Sequence, residues 1–331
     1  MSQRIRNALF GAAFGDALAA PVEFKTVEEM LRSHPPVGPT TLVGDPALVT
    51  DDTQMMLAVG HALRDAGPKL EGVEGALIKR FVKWYHDPQN NRAPGNTCLR
   101  ACQALEHEAS WWDATVKGSK GCGANMRVQP IGLLADTYSD EDVAGLAQLQ
   151  AALTHGHPTA LAASDLTAMA LRFLKRGVHA SDLVAALIVY AKAQHTVYHE
   201  AWLGQYWSST HDVSASAFIS RGWEECLGGL ERLEEALADP QPSRDPCEAT
   251  GDGWIAEEAL ATGLHAFLLH PNEPLRVLHR AALTRGDSDS IACLAGAFVG
   301  AYHEGTCWPY EWFLEIEYDA QLETLTRHLE Q

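Results

Sequence analysis

The chain has no Cys-x-x-Cys pair. Its seven cysteines (Cys98, Cys102, Cys122, Cys226, Cys247, Cys293 and Cys307) are scattered and odd in number, which argues against a thiolate zinc site or a paired redox motif. Cysteines in apolar, helix-like stretches read as small buried hydrophobes, and the expectation is a reduced, cytoplasmic protein. No apolar run approaches the ~18 residues that span a bilayer, and the N-terminal residues lack the apolar stretch of a signal peptide. Alternating, β-branched segments are nearly absent, which excludes a sheet-based fold. Basic residues are also scarce: 25 Lys+Arg against 43 Asp+Glu leave a formal net charge of −18. That balance disfavours general nucleic-acid binding and anionic membranes, and neither is expected as a partner. A small anionic substrate stays compatible, held by local cations or backbone N–H groups.

What is present is an ordinary globular composition, 46% hydrophobic and 21% charged over 331 residues, with helical periodicity throughout. Ile5, Leu9, Ala12 and Ala13 would line one face of a first helix. Met55, Met56, Val59, Ala62 and Leu63 predict a second, after Thr50-Asp51-Asp52-Thr53. Leu166, Met169, Ala170 and Phe173 predict another, as does Ser181–Ile188, where Ser181 and Asp182 are natural N-terminal caps. Ile291, Leu294, Ala295, Phe298 and Tyr302 mark a late helix that Gly305 can close. The fold class is all-α. Ser33–Asp45, Asp87–Gly95, Trp112–Gly123 and Asp239–Gly253 read as long loops; the last, with Pro240, Pro242 and Pro246, is the weakest joint.

Two acidic clusters each precede a helix: Thr50-Asp51-Asp52-Thr53 and Gly286-Asp287-Ser288-Asp289-Ser290. One Asp per helix start is ordinary capping. Two at each start exceed that need, and hard oxygen donors suit Mg²⁺, Mn²⁺ or Ca²⁺ rather than zinc. If the clusters converge, Asp51, Asp52, Asp287 and Asp289 repel one another, and two divalent cations would cancel their charge. Pro21 ends the first helix so that Glu23 projects from the following loop. In Ser119–Arg127 the glycines permit left-handed backbone and expose N–H groups, while Arg127 can hold a phosphate or carboxylate.

Taken in order, these blocks resemble the ADP-ribosylglycohydrolases, the group that includes the hydrolase reactivating ADP-ribosylated dinitrogenase reductase. The resemblance rests on Gly15-Asp16-Ala17-Leu18 with Pro21-Val22-Glu23-Phe24, Thr50–Met55, Gly95-Asn96-Thr97-Cys98, Ser119–Gly123 with Met126-Arg127, Thr154–Pro158, Gly253–Leu260 and Gly286–Ser290. It implies one large orthogonal helical domain over residues 1–331, with long loops around a dinuclear Mg²⁺ or Mn²⁺ cleft. By that match Thr50, Asp51, Asp52, Asp287, Asp289 and Ser290 are the metal ligands, and Glu23 and Asp52 are the catalytic carboxylates. Asn96 would bind a ribose hydroxyl. Lys120, Gly121, Cys122 and Gly123, with Met126 and Arg127, would cradle the pyrophosphate. His155 and His157 would line the pocket, and Trp254 would stack on adenine or pack in the wall.

The implied reaction is hydrolysis of the bond between ADP-ribose and a modified side chain, arginine favoured, or a small acceptor. The substrate would be an ADP-ribosylated protein or a small ADP-ribose derivative. The alternative is a non-catalytic ADP-ribose-binding or toxin-neutralising protein of the same fold. Arg285, directly before Gly286, departs from the expected small or polar residue; it would contact a substrate phosphate or offset the acidic cluster. The stretch Ala193–Glu235, with Trp202, Trp207 and Trp223, carries no motif, and its aromatic residues would shape the substrate entrance.

Overall fold

The computed structural model describes residues 3–108, 110–241 and 243–331. The chain forms helices α1 (Gln3–Ala19), α2 (Val27–Ser33), α3 (Asp51–Ala66), α4 (Val73–Tyr85), α5 (Asn96–Leu105) and α6 (Trp111–Ala114). It continues through α7 (Gln129–Gly132), α8 (Asp140–Ala152), α9 (Pro158–Lys175), α10 (Ala180–Gln194), α11 (Glu200–Leu203) and α12 (Ala215–Ala238). The last third holds α13 (Cys247–Thr250), α14 (Ala256–Leu269), α15 (Pro274–Ala282), α16 (Ser288–Tyr302), α17 (Tyr310–Glu315) and α18 (Asp319–Leu329). Extended pairing among the described residues is confined to isolated bridges such as Val116 to His155 and Gly121 to Ile255. The all-α expectation holds. Pro242, part of the expected weak joint, lies outside the described residues.

The first helix differs from its expected one-sided burial. Residues Asn7 to Ala19 are buried on every side, because α1 runs through the core against α16 near the other end of the chain. Glycine makes that approach possible. A Cβ at Gly11 would lie 2.3 Å from the Gly296 carbonyl oxygen, and one at Gly15 would lie 2.0 Å from that of Ala292. Both distances are far inside contact, so the two backbones touch without intervening side chains. Above the crossing, Phe14 meets Trp308, Trp312 and Phe313 edge-on, with ring centroids 5.3–5.8 Å apart.

Two boundary expectations are corrected. Helix α10 begins at Ala180, one residue before Ser181, and its cap is His179, whose side chain accepts the Ser181 N–H. Helix α16 ends at Tyr302, where the His303 N–H bonds to the Val299 carbonyl. Gly305 lies beyond that end, and its carbonyl instead accepts the buried Asn7 amide at 2.8 Å. The tryptophans of Ala193–Glu235 pack inward rather than shaping the cleft. Trp223 is fully buried beside Tyr190, and Trp202 lies against Gly145 of α8.

Candidate active site

A cleft of about 340 Å³ opens where the N-terminal ends of α3 and α16 meet. Thr50 caps α3, its hydroxyl accepting the Asp52 N–H at 3.3 Å, which sets Asp51 and Asp52 in the first turn. Asp287 is the cap residue of α16, and Asp289 follows in its first turn. The partial positive charge at both helix starts favours carboxylates there. A 3₁₀ turn at Ala20–Val22 follows α1, and the Glu23 N–H donates to the Ala19 carbonyl at 3.1 Å. This sends the Glu23 carboxylate into the same cleft. Oxygen atoms of Glu23, Asp287 and Asp289 lie within 4.8 Å of one another, and Asp51 and Asp52 line the same space.

So many buried carboxylates cannot all ionise together. Burial, with the charges of Asp287 and Asp51, pushes Glu23 up to about 8. Burial, with Asp16 and Asp287, pushes Asp51 up to about 7 against the opposing hydrogen bond from the Gly95 N–H. Asp52 and Asp289 are held well above the usual carboxylate range by burial and by their acidic neighbours. Burial likewise raises Asp287.

The donor set can be tested against a cation on this structure. Asp52 is 2% exposed, yet its Oδ2 has no hydrogen-bond partner. An orphaned buried carboxylate oxygen is costly unless something positive meets it. The converging carboxylates are hard oxygen donors, and they fit a divalent cation such as Mg²⁺ or Mn²⁺.

The other expected residues divide. Asn96, Gly121, Cys122, Gly123, Met126, His155, Trp254 and Ser290 line the cleft; Thr50 lines an adjoining groove. Gly121 and Gly123 serve close approach rather than left-handed backbone. A Cβ at Gly123 would lie 2.9 Å from the Cys98 sulfur and 3.0 Å from the His155 ring. His155 is held neutral, its pKa driven down to about 3 by burial and by Arg127. Trp254 is 42% exposed and stacks on Phe24, ring centroids 5.7 Å apart. Phe24 reaches it from a left-handed backbone, φ 63°.

Four expectations are corrected. Arg127 is fully buried and cannot reach a phosphate. It bonds to the Gln150 side chain and carbonyl and to the Thr154 hydroxyl, at 2.7–2.8 Å, and lies over the Phe81 ring. Lys120 points away from the cleft, between Glu225 at 2.6 Å and Glu257 at 2.5 Å. His157 caps α9 rather than lining the site. Arg285 pairs with Asp252 at 2.9 Å, so its charge is spent there rather than on the acidic cluster.

Sequence reasoning passed over Asp16. It is completely buried in α1, and its carboxylate accepts the Thr50 N–H at 3.0 Å and the Thr53 N–H at 3.1 Å, along with the Thr53 hydroxyl at 2.5 Å. It thereby anchors the start of α3 from beneath. A lone acid within the otherwise apolar run from Ala8 to Ala19 was the available signal. A second overlooked group is Arg92, which pairs with Glu317 through both terminal nitrogens and bonds to the Val49 carbonyl at 2.7 Å, fixing the strand of chain that delivers Thr50. Cys122, expected only in the pyrophosphate cradle, also places its thiol 2.7 Å from Asp287 Oδ2.

Comparison with known proteins accords with this geometry. The sequence profile described as ADP-ribosylglycohydrolase matches residues 1–331. The chain is 29% identical to ADP-ribosylhydrolase ARH3 of Gallus gallus, covering 93% of this chain and 88% of that protein. It is 31% identical to the ADP-ribosyl-[dinitrogen reductase] glycohydrolase of Rhodospirillum rubrum, over 68% of this chain and 77% of that one. It is 28% identical to ADP-ribosylarginine hydrolase Tri1 of Serratia proteamaculans, over 53% of this chain and 48% of that one. A solved ADP-ribosylglycohydrolase-related protein complex shares the fold, with a TM-score of 0.70 at 23% identity, covering 99% of this chain and 97% of that chain. No helix among the described residues is long and apolar enough to cross a membrane. Over its whole length, the chain belongs to the ADP-ribosylglycohydrolase family, glycohydrolases that act on ADP-ribose linkages.

Proposed function

We propose that this protein is a divalent-cation-dependent hydrolase that cleaves the glycosidic bond between ADP-ribose and a modified side chain, with arginine the favoured acceptor. The observation that carries the reading is the meeting of Glu23 with both helix-start carboxylate pairs in one cleft. In this reading Thr50, Asp51, Asp52, Asp287, Asp289 and Ser290 hold two ions, Mg²⁺ or Mn²⁺. Bound ions supply the positive charge that fixes ribose hydroxyls and lowers the pKa of a water.

The chain's own groups do the rest. The bond from the anomeric carbon to the acceptor breaks through an oxocarbenium-like transition state. Water adds its oxygen to that carbon, and its two protons end on the new hydroxyl and the departing acceptor. Glu23 takes the proton at a carboxylate oxygen and passes it on, with Asp52 beside it as the second carboxylate. Asn96 binds a ribose hydroxyl. The Gly123 N–H meets the pyrophosphate without help from Arg127 or Lys120, since the Gly121 and Cys122 N–H groups donate to the Ser119 hydroxyl and the Trp254 carbonyl. The arginine preference is supported by the exposed rings of Phe24 and Trp254, on which a planar guanidinium stacks. It is also supported by the name of the Serratia relative, a hydrolase of ADP-ribosylarginine. The reading treats residues 1–331 as one domain working in a reducing, cytoplasmic setting.

The test is a substrate panel: ADP-ribosyl-arginine, ADP-ribosyl-serine and O-acetyl-ADP-ribose, each incubated with Mg²⁺ and with Mn²⁺ while free ADP-ribose is measured. Fastest release from the arginine conjugate is expected. Binding of ADP-ribose without turnover of any conjugate would instead identify a non-catalytic binder.

A further inference from the structure

A second groove, of about 450 Å³, leaves the cleft beside Glu23. The two share Glu23, Phe24 and Ala93 as lining residues, so anything emerging past Glu23 enters the groove directly. Its walls are apolar, formed by Pro21, Phe24, Val43, Pro46 and Leu48. Three of these are large apolar side chains left open to water: Phe24 at 68%, Val43 at 59% and Leu48 at 49% exposure. Clustered exposure of this kind marks a surface that meets a partner.

The groove is already built. The segment carrying Ala47 and Val49 is pinned to the C-terminal part of the chain. The Ala47 N–H donates to the Glu315 carbonyl at 2.7 Å, and the Glu317 N–H to the Ala47 carbonyl at 3.0 Å. The Glu317 carboxylate accepts the Val49 N–H at 3.2 Å. The charge of Arg92, also a lining residue, is met by that same carboxylate. In a chain of net charge −18, this is a neutral, apolar corridor that begins at the catalytic carboxylates.

We infer that this groove receives the polypeptide that flanks the ADP-ribosylated side chain, and that it selects protein substrates with an apolar residue next to the modified one. The inference rests on the proposed hydrolase reading, because the scissile bond must lie beside Glu23 for its acceptor to exit this way. ADP-ribose occupies the cleft; the acceptor, on the far side of the broken bond, lies along Phe24, Val43 and Leu48. A small ADP-ribose derivative would leave the groove empty, so the geometry favours a protein substrate over a free metabolite.

The experiment compares three probes: two heptapeptides ADP-ribosylated on a central arginine, one flanked by leucines and one by serines, and free ADP-ribosyl-arginine. Each is assayed with the wild-type protein and with Val43→Asp, Leu48→Asp and Leu48→Ser, alongside peptide affinity by fluorescence anisotropy. Removing the burial of one leucine is worth about tenfold or more. The wild type should therefore favour the leucine-flanked peptide about tenfold in kcat/KM, and the aspartate variants should lose that preference. All variants should act on free ADP-ribosyl-arginine as the wild type does. Indifference to the flanking residues, or an equal loss on all three probes, would overturn the inference. If no probe is turned over, the hydrolase reading fails on its own, and anisotropy still decides the groove. Tighter leucine-flanked binding by wild type than by Leu48→Asp upholds it; equal binding overturns it.

Discussion

Asp16 never reaches the open cleft, yet it accepts three hydrogen bonds from the residues that begin α3. An Asp16→Asn amide would turn an NH₂ group toward donors that need an acceptor. Groups that orient ligands in this way typically govern metal affinity by 10–100-fold. Titration of Asp16→Asn with Mn²⁺, followed by thermal shift, should show a loss in about that range. Glu23→Gln keeps the shape and removes the proton acceptor. General acid–base groups contribute roughly 10²–10⁴-fold, so kcat should fall by about that much while Mn²⁺-induced stabilisation persists. Asp165 offers a test away from the cleft. Buried between the Gln148 amide and the Tyr190 hydroxyl, it is pushed up to about 7. A carboxyl raised on folding stabilises the native chain while it keeps its proton. That contribution is whole below its ordinary value of 3.8 and is lost as pH rises through about 7. Asp165→Asn, with the Gln148 amide turned over, should flatten the fall of Tm between pH 5 and 8.

At the scale of helices, the crossing of α1 and α16 positions the chemistry. Gly15 precedes Asp16, and the Ala292 carbonyl it touches lies two residues beyond Ser290. A valine at Gly15 would force the helices apart and carry Asp16 and Asp289 with them. The expected result of Gly15→Val is a protein that fails to fold or melts many degrees lower. Gly75, exposed in α4 with nothing within 4 Å of its would-be Cβ, is the control. There Gly75→Ala should raise stability by about 0.4–1 kcal/mol, read from denaturant melts. Much of this frame was legible in the sequence because it is local: acidic pairs announce helix starts, and Pro21 announces the turn before Glu23. What was not legible depends on distant partners. The small residues of α1 allow a close helix approach, but which helix comes close is seen only when α16 lies against them. Arg127 reads as a phosphate ligand until Gln150, Thr154 and Phe81 enclose it. Lys120 reads the same way until Glu225 and Glu257, more than a hundred residues on, take its charge.

Across the whole molecule, the acid excess acquires a division of labour. Part of it is gathered where it resists ionisation: Asp16, Asp51 and Glu23 are raised to about 6, 7 and 8. Without a cation, the stability these protonated carboxyls contribute drains away as pH climbs through those values. The EDTA-treated protein should melt progressively lower from pH 5 to 8.5. Added Mg²⁺ or Mn²⁺ should restore it, most at the alkaline end; at 100-fold excess over Kd, linkage gives about 2.7 kcal/mol. The central claim is that the converged carboxylates form a cation-dependent hydrolytic centre. Its most direct measurement is ADP-ribose release from ADP-ribosyl-arginine by EDTA-treated protein, with Mn²⁺ restored stepwise, for the wild type and an Asp287→Ala, Asp289→Ala double variant. The account predicts release that is lost with EDTA, recovered with Mn²⁺, and absent in the variant at every concentration. Undiminished release by the variant, or release indifferent to EDTA, would contradict it.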